Sequence, residues 1–310
     1  MRRIPIGILG AVLASALTIP AAFAQAAPTI QITSPADGAK ITSTNIPVTV
    51  AISNFKVDCS LAGAPNQPGV GHWHFMLDGG DMAHLTNFYC DNTVSISGEG
   101  VKAGPHTLMA VLSNNDHTEV GKPVQVKIDY EPTTASALPA AQPGATPTIK
   151  ITSPADGATL SDAAHVTMQF AVTGFTPSTD LEGKPNVAGF GHIHVFVLNK
   201  PMDMGGGMMS MGGMVGMPGS SSTTFDLSKW PSGKYMLVAM LVGNDHNPIQ
   251  GAMPAEINVT LQSKVAGAAT LPKTGGSAPA VPAAPFAAVG IIALLAGGWV
   301  WRRSASGSAR

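Results

Sequence analysis

Five short segments alternate apolar and polar residues: TIQIT from Thr29, VTVAIS from Val48, HWHFML from His72, TLMAVL from Thr107 and VQVKID from Val124. Period-two alternation puts every second side chain on one face of an extended chain, so these runs predict strands. Turn-forming Pro-Ala-Asp-Gly and Ala-Gly-Pro segments separate them. No long amphipathic helix is predicted.

The pattern then returns. PTIQITSPADGAKI from Pro28 to Ile41 recurs as PTIKITSPADGATL from Pro147 to Leu160, GVGHWHFMLDG from Gly69 as GFGHIHVFVLN from Gly189, and LMAVLSNNDH from Leu108 as LVAMLVGNDH from Leu237. Self-similarity of this kind marks two copies of one structural unit. Copy one is assigned to 28–131 and copy two to 147–263, with a Pro/Ala linker at 132–146 that reads as semi-extended. About a hundred residues are enough for a two-sheet core. The predicted fold is therefore all-β: two tandem immunoglobulin- or fibronectin-like β-sandwiches. The offset between copies is 120 at His72 and His192 but 129 at His117 and His246, which locates an insertion in copy two, at the Met/Gly-rich tract 202–222.

Both copies open with ITSPADGA, which resembles the start of sandwich modules on bacterial surfaces. Their GHxH and NDH pairing is similar to uncharacterised secreted bacterial domains, a resemblance that implies no particular activity.

The ends of the chain carry different signals. Met1-Arg2-Arg3, an apolar run from Ile4 to Ile19 and small residues at Ala22 and Ala24 predict a secretory signal peptide over 1–24. At the other end Leu271-Pro272-Lys273-Thr274-Gly275 lies in a spacer over 264–285, followed by an apolar span at 286–301 and a basic tail at 302–310. Motif, span and tail in that order resemble the LPxTG sorting signal of sortase substrates. The resemblance implies cleavage between Thr274 and Gly275 and transfer to a cell-wall precursor, with sortase as partner. Before sorting, the span would hold the chain in the membrane as a helix, its arginines on the cytoplasmic side. The expected location is the cell wall or the outer face of the cytoplasmic membrane.

Charge narrows the possible functions. All five arginines, at 2, 3, 302, 303 and 310, sit in the terminal signals, and 12 lysines against 18 acidic residues leave the mature segment at −6. Such a balance excludes a nucleic-acid-binding footprint. Cys59 and Cys90 are the only cysteines, and in an oxidising compartment an even pair predicts a disulfide.

Six of nine histidines fall at matched positions: His72, His74 and His117, and His192, His194 and His246. Residues two apart on a strand share a face, so each His-x-His presents two imidazoles side by side. The third histidine follows Asn115-Asp116 or Asn244-Asp245 at the end of a late strand, where it can join them. Three imidazoles predict a copper or zinc site, with Asp116 and Asp245 as orienting carboxylates. The competing expectation is a polar patch in which Asn-Asp-His caps a turn. Aligned without gaps, Met82 pairs with Met202 and His84 with Met204, a His/Met exchange that suits copper. Met202, Met204, Met208, Met209, Met211, Met214 and Met217 form a soft thioether set, with a tract of this composition expected to stay outside the core.

Two functions follow. One is a surface metal-binding protein, with copper ahead of zinc, that sequesters the ion or exchanges it with a donor or acceptor protein. The other is a non-catalytic adhesive or structural stalk. GHxH also resembles the GxHxH strand of copper/zinc superoxide dismutases, but the glycine and histidine are shifted by one place, and no enzyme is predicted. No nucleophile elbow, phosphate loop or HExxH occurs.

Overall fold

A computed structural model describes residues 26–263, apart from 135, 143 and 200–210. The predicted signal peptide, the LPKTG motif and the 286–301 span lie outside the described residues, and among those described no helix is long and apolar enough to cross a membrane.

Copy one contains β1 (Thr29–Ser34), β2 (Ala39–Ile41), β3 (Ile46–Ser53), β4 (Lys56–Val57), β5 (Val70–Leu77), β6 (Leu85–Tyr89), β7 (Thr93–Ile96), β8 (Gly104–Asn114) and β9 (Glu119–Tyr130). Copy two repeats them as β10 (Thr148–Ser153), β11 (Ala158–Leu160), β12 (Val166–Thr173), β13 (Thr176–Pro177), β14 (Phe190–Leu198), β15 (Met214–Gly216), β16 (Ser222–Phe225), β17 (Gly233–Val242) and β18 (Ala255–Leu261). In each copy a three-stranded sheet, β1-β3-β7 or β10-β12-β16, faces a larger one ordered β2-β9-β8-β5-β4 or β11-β18-β17-β14-β13. β6 and β15 take the corresponding places beside β5 and β14.

The alternation read from sequence accounts for each sandwich interior. On β3, Ile46, Val48 and Val50 are buried while the residues between them are not. Opposite them, Trp73, Phe75 and Leu77 of β5 enter the same core, with Leu108, Ala110 and Leu112 of β8. Strand β5 departs from simple alternation because both its faces are buried: His72, His74 and Met76 point away from that core and are covered too.

Their cover is the other copy. Met76, Leu85 and Val111 of copy one join Phe196, Met214, Met217, Val238, Met240 and Val242 of copy two in one apolar seam. The large sheets therefore stack face to face, and each fully buried Val, Leu, Phe or Met in the seam contributes about 1.5–3 kcal/mol. Both copies lie within one compact unit. The linker is fastened to both: Thr133 N–H donates to Thr42 O, Gly100 N–H to Ser136 O, and Gln142 N–H to Ala188 O.

Each copy also clasps the other with a loop. Copy one's loop after Cys59 lies on copy two, Leu61 and Ala64 packing into the copy-two core. A Cβ on Gly63 would come 2.6 Å from the Gly213 carbonyl carbon; on the other side a Cβ on Gly183 would come 2.7 Å from His84 O. Both glycines adopt positive φ, 76° and 72°, so neither conformation nor space admits a side chain. The predicted Cys59–Cys90 disulfide is formed and ties the copy-one loop to the end of β6.

The methionine tract behaves differently from its composition. Met214 is fully buried in β15 and Met217 nearly so, while Met211 packs against the seam. The expectation of a tract outside the core is thus corrected for 211–217: pairing with β14 supplies the backbone partners, and the thioethers fill the seam. Met202, Met204, Met208 and Met209 lie outside the described residues. The gapless pairing of copies is also corrected. Phe196 opposes Met214 as Met76 opposes Leu85. The Met214 N–H donates to Met211 O as the Leu85 N–H does to Met82 O. Met211, not Met202, is therefore the counterpart of Met82, and Gly213 that of His84, so the extra residues precede Met211.

Candidate metal centres

His72 and His74 stand on the seam face of β5, opposite Ser113 and Val111 of β8. The turn leaving β8 brings back the third imidazole. His117 N–H donates to Asn114 O, Asn114 N–H donates to Thr118 O, and His117 sits at φ 66°. In that left-handed conformation, which histidine tolerates better than most residues, the ring is directed over β5. Asn115, fully buried, fastens the turn through Nδ2 to Pro65 O at 3.1 Å. Copy two repeats the device with His246 at φ 63° and Asn244 Nδ2 donating to Pro185 O at 2.9 Å.

The nitrogens converge. His72 Nε2 lies 3.1 Å from His74 Nε2 and 3.0 Å from His117 Nδ1, and His74 Nε2 lies 3.2 Å from His117 Nδ1. In copy two His192 Nε2 and His194 Nε2 are 3.0 Å apart, and one ligand atom from each of His192, His194 and His246 falls within 4.8 Å of the others. Ring centroids match between copies, 4.4 and 5.5 Å from His117 to His72 and His74, against 4.6 and 5.5 Å from His246 to its partners.

A triangle of three nitrogens has no satisfactory proton arrangement. An imidazole nitrogen that carries hydrogen only donates, and one that does not only accepts. Among three mutual neighbours, at least one pair must be donor facing donor or acceptor facing acceptor. Water cannot relieve that conflict cheaply here, since all six histidines are buried. Burial, reinforced by neighbouring imidazoles, pushes His72, His192 and His194 well below the usual histidine range and His74 down to about 3. Burial also takes His117 and His246 to about 4, His117 drawn back by the Met214 carbonyl of the other copy and His246 by the neighbouring Asp245 carboxylate and then by the Met82 backbone. Uncharged rings with convergent lone pairs are metal ligands in waiting. Bonds of about 2.0–2.1 Å place ligand nitrogens about 3.4 Å apart in a tetrahedral site and about 3 Å apart on an octahedral face, and the copy-one triangle lies between the two.

The tautomer of His117 is set from copy two, where Met214 O accepts from its Nε2–H at 2.9 Å, leaving Nδ1 to face the triangle. His246 faces the Met82 backbone, but neither of its ring nitrogens has a fully formed hydrogen bond. His74 feels His246, and His194 feels His117, so the two triads are electrostatically coupled across the seam.

Several sequence expectations change here. Asp116 and Asp245 do not orient the histidines; each caps its own turn, Asp116 Oδ1 accepting from Thr118 N–H and Asp245 Oδ1 from Asn247 N–H. His84 is bound to Asp81 at 2.6 Å on the surface and does not enter a triad. One residue was missed. Glu182, in the copy-two loop, is buried with Oε1 3.9 Å from His192 Nδ1. Its signal was available: Leu61, Gly63, Pro65 and Asn66 recur as Leu181, Gly183, Pro185 and Asn186, while Ala62 and Ala64 become Glu182 and Lys184.

No known protein family matches the chain, and no curated protein sequence does. Solved structures with a similar course include the fibronectin(III)-like modules of Clostridium thermocellum CbhA, at 12% identity and TM-score 0.24, covering 76% of this chain and 95% of that one. Another is the three N-terminal domains of the bacteriophage RB49 Highly Immunogenic Outer Capsid protein, at 12% identity, TM-score 0.20, and coverage of 76% and 70%. A third is the Bacteroides ovatus glucan-utilization protein SGBP-B, at 10%, 0.21, and 76% and 48%.

Proposed function

We propose that the chain is an exported, surface-anchored metal-binding protein that holds copper in two buried histidine triads. The observation that carries this reading is the pair of imidazole clusters, closed in copy one into a triangle of nitrogens that no placement of protons satisfies and one cation does. Imidazole donors suit copper and zinc alike; the thioethers of Met76, Met82, Met211, Met214, Met217 and Met240 around the same seam favour copper. Burial of both triads suits sequestration, with release to an acceptor protein requiring the seam to open. The signal peptide, the LPKTG motif and the disulfide support a location outside the cytoplasm, with sortase and a cell-wall precursor as partners and each copy an immunoglobulin- or fibronectin-like module.

The second reading is an adhesive or structural stalk, in which the same sandwiches project from the wall and the histidines only fill the seam. Copper content separates the two. The purified chain, loaded with copper and dialysed, should retain about two ions by mass spectrometry, and His72→Ala/His74→Ala/His192→Ala/His194→Ala should retain none. Wild-type protein that comes out empty leaves the stalk.

A further inference from the structure

The two triads share their ligands but differ behind them. When Nε2 of a neutral imidazole binds a metal, its proton must sit on Nδ1, which then needs an acceptor. In copy two Glu182 Oε1 faces His192 Nδ1 at 3.9 Å, and both atoms are buried without another partner. Glu182 is held in place by its second oxygen, Oε2, which accepts from Asn87 Nδ2 of copy one at 2.9 Å. In copy one the matching position is Ala62, also buried, and among the described residues His72 Nδ1 has no acceptor.

We infer that Glu182 is a positioning residue that makes the copy-two triad the tighter site and the first to fill with a divalent cation. The inference rests on the metal reading. A carboxylate behind a ligating histidine fixes the ring and raises the basicity of the ligating nitrogen, and removing such a partner lowers metal affinity by about 10–100-fold. Burial raises the Glu182 carboxyl well above the usual carboxylate range in the metal-free fold, and an arriving divalent ion favours its ionised form, which then offsets the ion's charge. Site one lacks both effects and leaves a buried N–H unpaired, so it loads second. The neighbouring Lys184 does not take over the carboxylate: its Nζ donates to Ser97 O at 2.8 Å and to Asp180 O.

The test is a copper(II) titration of the full chain against a competing chelator, followed by NMR of the imidazoles, whose signals broaden beside the paramagnetic ion. In wild type two steps are expected, with His192, His194 and His246 broadened in the first. Glu182→Gln keeps an oxygen for Asn87 and removes the charge. It should weaken the first step by about 10–100-fold and abolish the order of filling, while the second step and the melting temperature of the metal-free protein stay unchanged. Ala62→Glu should tighten the second step. Two ions bound with one affinity in wild type, or unchanged steps in Glu182→Gln, overturn the inference and leave the metal reading standing. Protein that takes up no copper at all overturns both.

Discussion

The two copies each present three histidines at matched places, two on a strand and one on the turn after a later strand, yet their surroundings have diverged. Copy one has a disulfide at the base of its clasping loop, alanines at 62 and 64, and a tight triangle closed by the Met214 carbonyl. Copy two has no cysteine, carries the buried pair Glu182 and Lys184, and leaves both nitrogens of His246 without a formed hydrogen bond. The parts kept identical are those that aim the imidazoles; the parts that changed lie behind them or lock the loop. Such a division fits a protein selected for two sites of one kind and unequal strength.

The broadest way to probe that comparison is acid. In the metal-free fold the six triad histidines have depressed pKa values, so the unfolded chain binds more protons than the folded one below about pH 6.5. The histidine contribution to stability is therefore complete above that pH and falls as the pH drops toward the values of about 4 at His117 and His246, while the single Glu182 carboxyl, raised by burial, acts in the opposite sense. Acid titration followed by circular dichroism should show a cooperative loss across this window. One equivalent of copper, occupying a single triad, should protect part of the transition, and two should move it as a whole to lower pH. If the ion leaves the acid transition unmoved, the triads are not its binding sites.

Much of this was legible in the chain. The repeat, the strand alternation, the shared face of His72 and His74, and the arrival of His117 after Asn115-Asp116 all follow from spacing. The burial of that face was not. Alternation reports that His72, His74 and Met76 lie opposite Trp73, Phe75 and Leu77, but whether the second face meets water or another sheet depends on contacts more than a hundred residues away. The methionine tract misled because glycine and methionine in sequence carry no period, so β15 leaves no alternation to read. The two turn aspartates were ambiguous for a local reason: an Asp before His can bond the ring or the following backbone, and the left-handed histidine decided for the backbone.

The clasping loops offer a sharper test of symmetry. Gly63→Val and Gly183→Val each force a β-branched residue into positive φ and push a Cβ against backbone of the opposite copy. Adding a left-handed penalty of about 1–2 kcal/mol to overpacking of about 1–3 kcal/mol, each should destabilise the metal-free protein by about 2–5 kcal/mol in denaturant unfolding. Equal losses would mean the copies brace each other evenly. A much smaller loss for Gly63→Val would show that the disulfide, and not the close approach, holds the copy-one loop.

The smallest expected effect separates fold from site. Asn115 and Asn244 are both fully buried and both donate to the carbonyl of an exposed proline, Pro65 or Pro185, so replacing either with alanine removes one hydrogen bond, at about 0.5–1.5 kcal/mol. On stability the two variants should match. On copper they should not. Asn115→Ala loosens the turn bearing His117, which retains its bond to Met214 O, so site one should weaken only modestly. Asn244→Ala frees both the turn bearing His246 and the loop that carries Glu182, because the lost Nδ2 bond is to Pro185 O in that loop, whereas the matching copy-one loop carries only Ala62 behind His72. Copper affinity of the first-filled site should therefore fall further in Asn244→Ala than that of the second site does in Asn115→Ala. Equal losses at the two sites would mean that the loop behind His192 has no part in holding the ion.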